Sequence, residues 1–183
     1  AKQKETLIER ILPGIRPAAP THLKVAFVHE RTPETSVWTS QHEFGRSQLE
    51  TVFADKVETA AYFDAVPGEN ADQLMEQAIA WGADIVFTTS PKLVGASLRA
   101  AVKHPQVRIL NCSMEMPYAS IRTYYTRVYE AKFITGAIAG AMSRGDRIGY
   151  VADYPTFGMP ANINAFALGA RMTNPRVRVE LYW

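Results

Sequence analysis

Cysteine is almost absent from this chain. Its 183 residues include only Cys112, so no internal disulfide and no cysteine-built metal cage is available. Long apolar runs are missing too: no stretch approaches the roughly 18 consecutive apolar residues of a membrane-spanning helix. Neither sign of charge dominates. Twenty basic against eighteen acidic residues leave a formal charge of +2, which argues neither for a nucleic-acid binder nor for a strongly basic membrane patch. The usual catalytic and phosphate motifs are also lacking. No GxGxxG comes after the first predicted strand and no GxxxxGK[ST] occurs, which removes the dinucleotide and Walker sites. No GxSxG elbow occurs, and His22, His29, His42 and His104 lack metal-ligand spacing. The remainder, 47% hydrophobic and 21% charged residues, is the composition of a globular chain about one domain long.

Residues 1–21 read as an arm or linker. Leu7, Ile8, Ile11 and Leu12 can share one face of a short helix, which Pro13-Gly14 stops, and Pro17 and Pro20 stiffen the segment leading to residue 21. The opening Ala1-Lys2-Gln3-Lys4-Glu5 lacks the basic-then-apolar order of a secretory leader. Without an initiator Met, the chain is expected to be processed or cut from a longer one. From residue 22 on, strand and helix patterns alternate. Strands are expected over 23–28, 56–63, 84–89, 107–111, 121–126, 147–152 and 177–182, and helices over 38–53, 71–81, 93–102, 129–142 and 160–172. Asn70 is expected to cap the helix that Gly82 ends. Apolar β-branched strands joined by helical connections predict an α/β fold, a three-layer αβα sandwich on a mainly parallel sheet.

In such sheets the ligand crevice lies beyond the carboxyl ends of the strands. Those ends are His29-Glu30, Asp64, Thr89-Ser90, Asn111-Cys112-Ser113 and Asp153-Tyr154, all polar except the thiol of Cys112. Trp38 stands at the entrance of the first helix, where an aromatic face could stack on a flat ligand and free helix N–H groups favour a carbonyl or anion. His29 with Glu30 is a weak acid–base candidate, because adjacent strand residues point to opposite faces. Ser90 near Glu30 has no predicted histidine partner, so no triad is indicated. Cys112 reads as a small buried residue. The Gly136-Ala137-Ile138-Ala139-Gly140 spacing is expected to let a helix approach the sheet closely.

Residues 124–175 have the order of a crossover between the two lobes of a hinged binding protein. Together with Lys24-Val25-Ala26-Phe27-Val28, Trp38-Thr39 with His42 and Gly45-Arg46, and Asp84-Ile85-Val86-Phe87-Thr88-Thr89-Ser90, the chain resembles the BMP family of substrate-binding proteins. This is the basic membrane lipoprotein or purine nucleoside receptor group of ABC importers. The resemblance covers about residues 23–183. It implies a type I periplasmic-binding-protein fold with a flavodoxin-like or Rossmann-like lobe. The expected division is an arm at 1–21, a first lobe at 22–143 and the start of an incomplete second lobe at 144–183.

The implied activity is ligand capture in an interlobe cleft, without catalysis, cofactor or metal. The ligand would be a purine nucleoside or nucleobase. By position, Trp38 would stack on the base, and Glu30, Thr39 and Ser90 would supply polar contacts. Tyr129 and Glu130 would lie near the hinge, and Asp153 and Tyr154 in the first loop of the second lobe. The implied partner of the full-length protein is an ABC permease, with no direct nucleic-acid contact by this region. The implied location is the extracytoplasmic face of the cell membrane, as a lipoprotein. As a fragment the chain is expected to form a homodimer through exposed strand edges. The runner-up reading is a cytoplasmic ligand-sensing domain of a bacterial transcriptional regulator or signalling protein. An α/β enzyme using Glu30, Ser90 or Asp153 ranks third.

Overall fold

The computed structural model describes residues 21–113, 118–152, 155 and 158–183. The expected helix near residues 6–12, Asp153 and Tyr154 lie outside them. Within them the alternation is present: β1 (Leu23–Val28), α1 (Val37–Val52), β2 (Val57–Tyr62), α2 (Ala71–Ala80), β3 (Ile85–Thr88), a 3₁₀ turn (Pro91–Leu93), α3 (Val94–Lys103), β4 (Arg108–Cys112) and β5 (Arg122–Tyr124). The chain continues through α4 (Val128–Met142), β6 (Arg147–Val151), α5 (Met159–Thr173) and β7 (Arg178–Tyr182).

The first five strands form one parallel sheet in the order β2-β1-β3-β4-β5. The chain steps from β1 outward to β2, then returns past β1 to β3. With right-handed crossovers, that reversal puts α1 on one face and α2 and α3 on the other. Side-chain alternation agrees. Ala26, Val28, Val86 and Ile109 point to the α2–α3 side, where they pack in one apolar core with Met75, Ala78, Leu93, Ala96 and Ala100. His29 points to the other side and meets Glu43 of α1. Full burial of a side chain such as Met75 contributes roughly 1.5–3 kcal/mol.

Local chemistry sets the helix ends. Ser36 is extended and its hydroxyl accepts from the Thr39 N–H at 3.2 Å, capping α1. Gly82 takes the left-handed φ of +96° that stops α2. Asn70 differs from expectation. It stands at the N-cap position, but its side chain makes no capping bond. Its Oδ1 accepts from the Val66 N–H at 2.7 Å and its Nδ2 donates to the Asp64 carbonyl at 3.0 Å. The preceding loop, which carries Asp64 at φ 57°, takes the amide that the helix would have used.

Strands β6 and β7 pair in parallel as a separate two-stranded sheet. Helices α4 and α5 pack against each other there. The glycine spacing on α4 does bring a helix in closely, but the partner is α5 and not a sheet. A Cβ on Gly136 would lie 2.9 Å from Phe166 Cα, one on Gly140 2.9 Å from Ala170 Cα, and one on Gly169 of α5 2.9 Å from the Ala137 nitrogen. Glycines on both helices therefore let the two backbones touch. The Thr173 hydroxyl donates to the Ala137 carbonyl at 2.8 Å across the same seam.

Candidate functional site

A sheet ordered 2-1-3-4-5 has its topological switch between β1 and β3, and the ligand crevice of such sheets opens there. Four of the expected site residues, Glu30, Trp38, Thr39 and Ser90, converge on this point. Glu30 lies just past β1, Ser90 just past β3, and Trp38 and Thr39 sit in the first turn of α1.

Trp38 is pinned. Its indole Nε1–H donates to the Thr89 carbonyl at 2.7 Å, which ties the start of α1 to the end of β3. The residue is still 41% exposed, so a ring held in one orientation presents surface to solvent. His42, one helical turn on, donates from Nδ1 to the Trp38 carbonyl at 2.9 Å and rests against the indole, with ring centroids 5.0 Å apart. Thr39 is buried in the same turn.

Glu30 is held from two sides. The Ser90 hydroxyl donates to one carboxylate oxygen at 2.6 Å and the Lys92 ammonium to the other at 2.9 Å. Burial pushes the Glu30 pKa up. The Ser90 and Lys92 hydrogen bonds, with the charges of Lys92 and Arg31, outweigh it and hold the group below the ordinary glutamate value. The carboxylate is thus ionised at neutral pH. Ser90 also accepts from the Lys92 N–H at 3.2 Å and so caps the 3₁₀ turn.

His29 and Glu30 diverge, so they do not form an acid–base pair. His29 is fully buried. Its Nε2 lies 2.9 Å from Glu43 Oε1 and its Nδ1 3.0 Å from Thr89 Oγ1. A carboxylate only accepts, so Nε2 carries the proton and the Thr89 hydroxyl donates to Nδ1. Glu43 is in turn bound by the Arg46 guanidinium at 2.9 Å, and Arg46 reaches Thr59 of β2 at 2.7 Å. This part-buried chain braces Thr89, whose carbonyl pins Trp38. Nothing local in the sequence marks it, because His29 and Glu43 meet only once α1 has folded over the sheet.

Burial lowers the His29 pKa, against the opposing pull of Glu43 and with help from His42 and Arg46. The unfolded chain, with an ordinary histidine value near 6.5, therefore binds the proton more readily than the folded one. Stability present above about pH 6.5 is expected to fall as the pH drops below it. Urea midpoints at pH 7.5 and 5.5 check this. The wild type should lose stability on acidification, and His29→Gln should flatten the step. An equal loss in both would place the acid sensitivity elsewhere.

The other expected residues stand apart from this cluster in the chain. Tyr129 and Glu130 occupy the first turn of α4, the helix that packs on α5, and Glu130 pairs with Arg127 at 3.4 Å. Tyr125 is an addition to the expected set. It comes directly after β5, and its ring lies 6.2 Å from that of Trp38, tilted by 33°. Its only signal in the sequence is its place in the aromatic pair Tyr124-Tyr125. Cys112 is buried, and burial pushes its thiol up to about 11, which leaves it unionised and a poor nucleophile at neutral pH.

The family model described as Bmp, ABC transporter substrate-binding protein PnrA-like, matches residues 22–183. A purine-binding protein of Brucella abortus is 31% identical over 161 residues, which is 88% of this chain and 46% of that protein. The chain thus spans about half the length of that relative. Among solved structures, a solute-binding protein of an ABC transporter system from Conexibacter woesei superposes with a TM-score of 0.64 at 19% identity. The match covers 87% of this chain and 54% of that one. A glucose-galactose binding protein from Geobacillus stearothermophilus superposes with a TM-score of 0.56 at 17% identity, over 87% of this chain and 57% of its own. At such identities the two structures show a shared fold.

Proposed function

Because this chain belongs to the Bmp family of PnrA-like ABC transporter substrate-binding proteins, we propose that it forms one ligand-binding wall of a solute receptor for a purine nucleoside or nucleobase. The observation that carries the reading is Trp38, a part-exposed indole held rigid by its bond to Thr89 at the β1–β3 switch. A flat ring stacks on such a surface for roughly 1–3 kcal/mol. The ionised Glu30 beside it accepts N–H or O–H groups from the ligand's polar edge. Both Glu30 oxygens already hold Ser90 or Lys92, which fixes the carboxylate and leaves about two of its four acceptor sites for the ligand's polar edge.

The receptor works by closure and not by chemistry. We place the junction between lobes at residues 125–128, since α4 packs on α5 beside β6 and β7. The 22–143 and 144–183 division from the sequence puts the whole of α4 in the first lobe. Attachment at the extracytoplasmic membrane surface and delivery to an ABC permease are part of the same proposal. Among the described residues, no helix is long and apolar enough to cross a membrane.

Thermal shift with a panel of nucleosides, nucleobases and monosaccharides tests the ligand class, since a ligand that binds only the folded state raises its apparent stability. Purines are expected to raise the melting temperature and monosaccharides to leave it unchanged. A response to sugars alone would overturn the assignment. A homodimer is also part of the proposal, supported by Val151, Ile138, Leu168, Met172 and Trp183, all exposed apolar side chains around α4, α5 and the second sheet. Sedimentation at micromolar concentration is expected to give the dimer mass, and a clean monomer would end that reading.

A further inference from the structure

We infer that the Glu43–His29–Thr89 relay is a proton switch on the candidate site, in which a second proton on the His29 ring loosens the hold on Trp38 and weakens ligand capture. The inference rests on the purine-receptor reading above and adds its regulation. His29 is a positioning residue: it acts through Thr89 and touches no ligand.

The geometry leaves the ring one place for that proton. Nε2 already carries a hydrogen toward Glu43, and Nδ1 accepts from the Thr89 hydroxyl at 3.0 Å. A proton added to Nδ1 makes it a donor, so two donors would face each other and the hydroxyl must turn. The acceptor within its reach is the Val28 carbonyl at 3.4 Å, which already takes the Thr89 N–H at 3.1 Å. Thr89 thus trades a 3.0 Å bond for a longer, shared one, and its own carbonyl is what accepts the Trp38 indole at 2.7 Å. His29 and Thr89 are both buried, so bulk water does not take over the lost bond.

The surroundings resist the added charge. On α1, Glu43 faces the ring, but the Arg46 guanidinium binds that carboxylate at 2.9 Å and is itself shared with Glu50 at 3.2 Å. His42 comes from the same helix, with ring centroids 6.3 Å apart. From β1 and the end of β2, Phe27 and Phe63 stack on the imidazole at 6.2 and 5.2 Å and offer no counter-charge. Burial outweighs the pull of Glu43, and His42 and Arg46 add to it, so the ring stays neutral at pH 7 and protonates below about 6.5. Linkage is reciprocal: a ligand that needs the fixed indole expels the proton, and acid expels the ligand.

The test follows the Trp38 indole N–H resonance of the ligand-free protein from pH 7.5 to 5.0, with calorimetric titration of adenosine at both ends. The indole signal is expected to move with the same midpoint as the His29 ring protons, and the adenosine Kd to rise roughly fivefold or more at pH 5.0. His29→Gln, which keeps a donor for Glu43 but does not titrate, is expected to remove both effects. Thr89→Val keeps the backbone carbonyl and lacks the hydroxyl, so His29 should still titrate while the indole signal no longer follows. That variant carries the test if the glutamine variant folds poorly. An indole signal that ignores the His29 titration, or a Kd that rises equally in wild type and His29→Gln, would overturn the switch and spare the receptor reading. A wild type that binds adenosine at neither pH would overturn the receptor reading, and the indole titration would then judge the relay by itself.

Discussion

Gly169→Ala is expected to destabilise the protein by about 2 kcal/mol, while Gly45→Ala, the same change in another helix, is expected to stabilise it. Helix propensity alone favours alanine over glycine by roughly 1 kcal/mol at either position. At Gly45, in α1, nothing lies within 4 Å of the added Cβ, so propensity decides the sign. At Gly169 the Cβ would meet backbone atoms of α4, with Phe133 C and Ala137 N both at 2.9 Å. Backbone cannot rotate away as a side chain can, so the helices must part. Overpacking of this kind costs typically about 1–3 kcal/mol or more, which exceeds the propensity gain. Urea denaturation midpoints of the two variants check the opposite signs. Stabilisation by both would mean that the glycine seam between α4 and α5 is not a close contact.

Trp38→Ala is expected to weaken purine binding roughly 5- to 150-fold, the equivalent of one lost stacking surface. The loss has two sources. The flat face disappears, and so does the indole N–H bond to Thr89 that ties α1 to the end of β3. Trp38→Phe separates them, since phenylalanine keeps a face and lacks the donor. It should fall between wild type and alanine in a titration with adenosine. Equal affinity for all three would remove Trp38 from the site.

Much of the fold was legible because it is written in local patterns. The alternation of apolar β-branched runs with amphipathic stretches located the strands and helices of the described residues. Their ends fall within two residues of expectation, the widest difference being β5 (Arg122–Tyr124), which stops two short. Gly82 ended α2 because a left-handed residue was needed there. The strand order was not legible, since pairing of β1 with β3 joins residues 60 apart. For the same reason the partner of Gly136 and Gly140 was misread. The spacing reports that a backbone comes close but does not say whether it belongs to a sheet or a helix. Asn70 was misassigned because an amide before a helix can serve the loop as well as the cap.

The site divides in the same way. Polar strand ends and a helix-entrance tryptophan pointed to Glu30, Trp38 and Ser90, and chain order brought them to one end of the sheet. The brace behind them, His29 with Thr89, Glu43 and Arg46, depends on a helix folding back over the strand that precedes it. Tyr125 depends on two chain segments meeting across the sheet. The brace leaves no trace in local sequence, and Tyr125 only its place in the pair Tyr124-Tyr125.

The most direct test tracks the three indole N–H resonances, from Trp38, Trp81 and Trp183, during titration with adenosine and then with glucose. Trp38→Phe identifies the peak of Trp38. The account predicts that adenosine shifts the Trp38 resonance saturably, leaves Trp81 unmoved, and that glucose shifts none of the three. Adenosine binding that leaves the Trp38 resonance in place, or glucose that moves it where adenosine does not, would contradict the central claim that a planar base stacks on Trp38 at the β1–β3 switch.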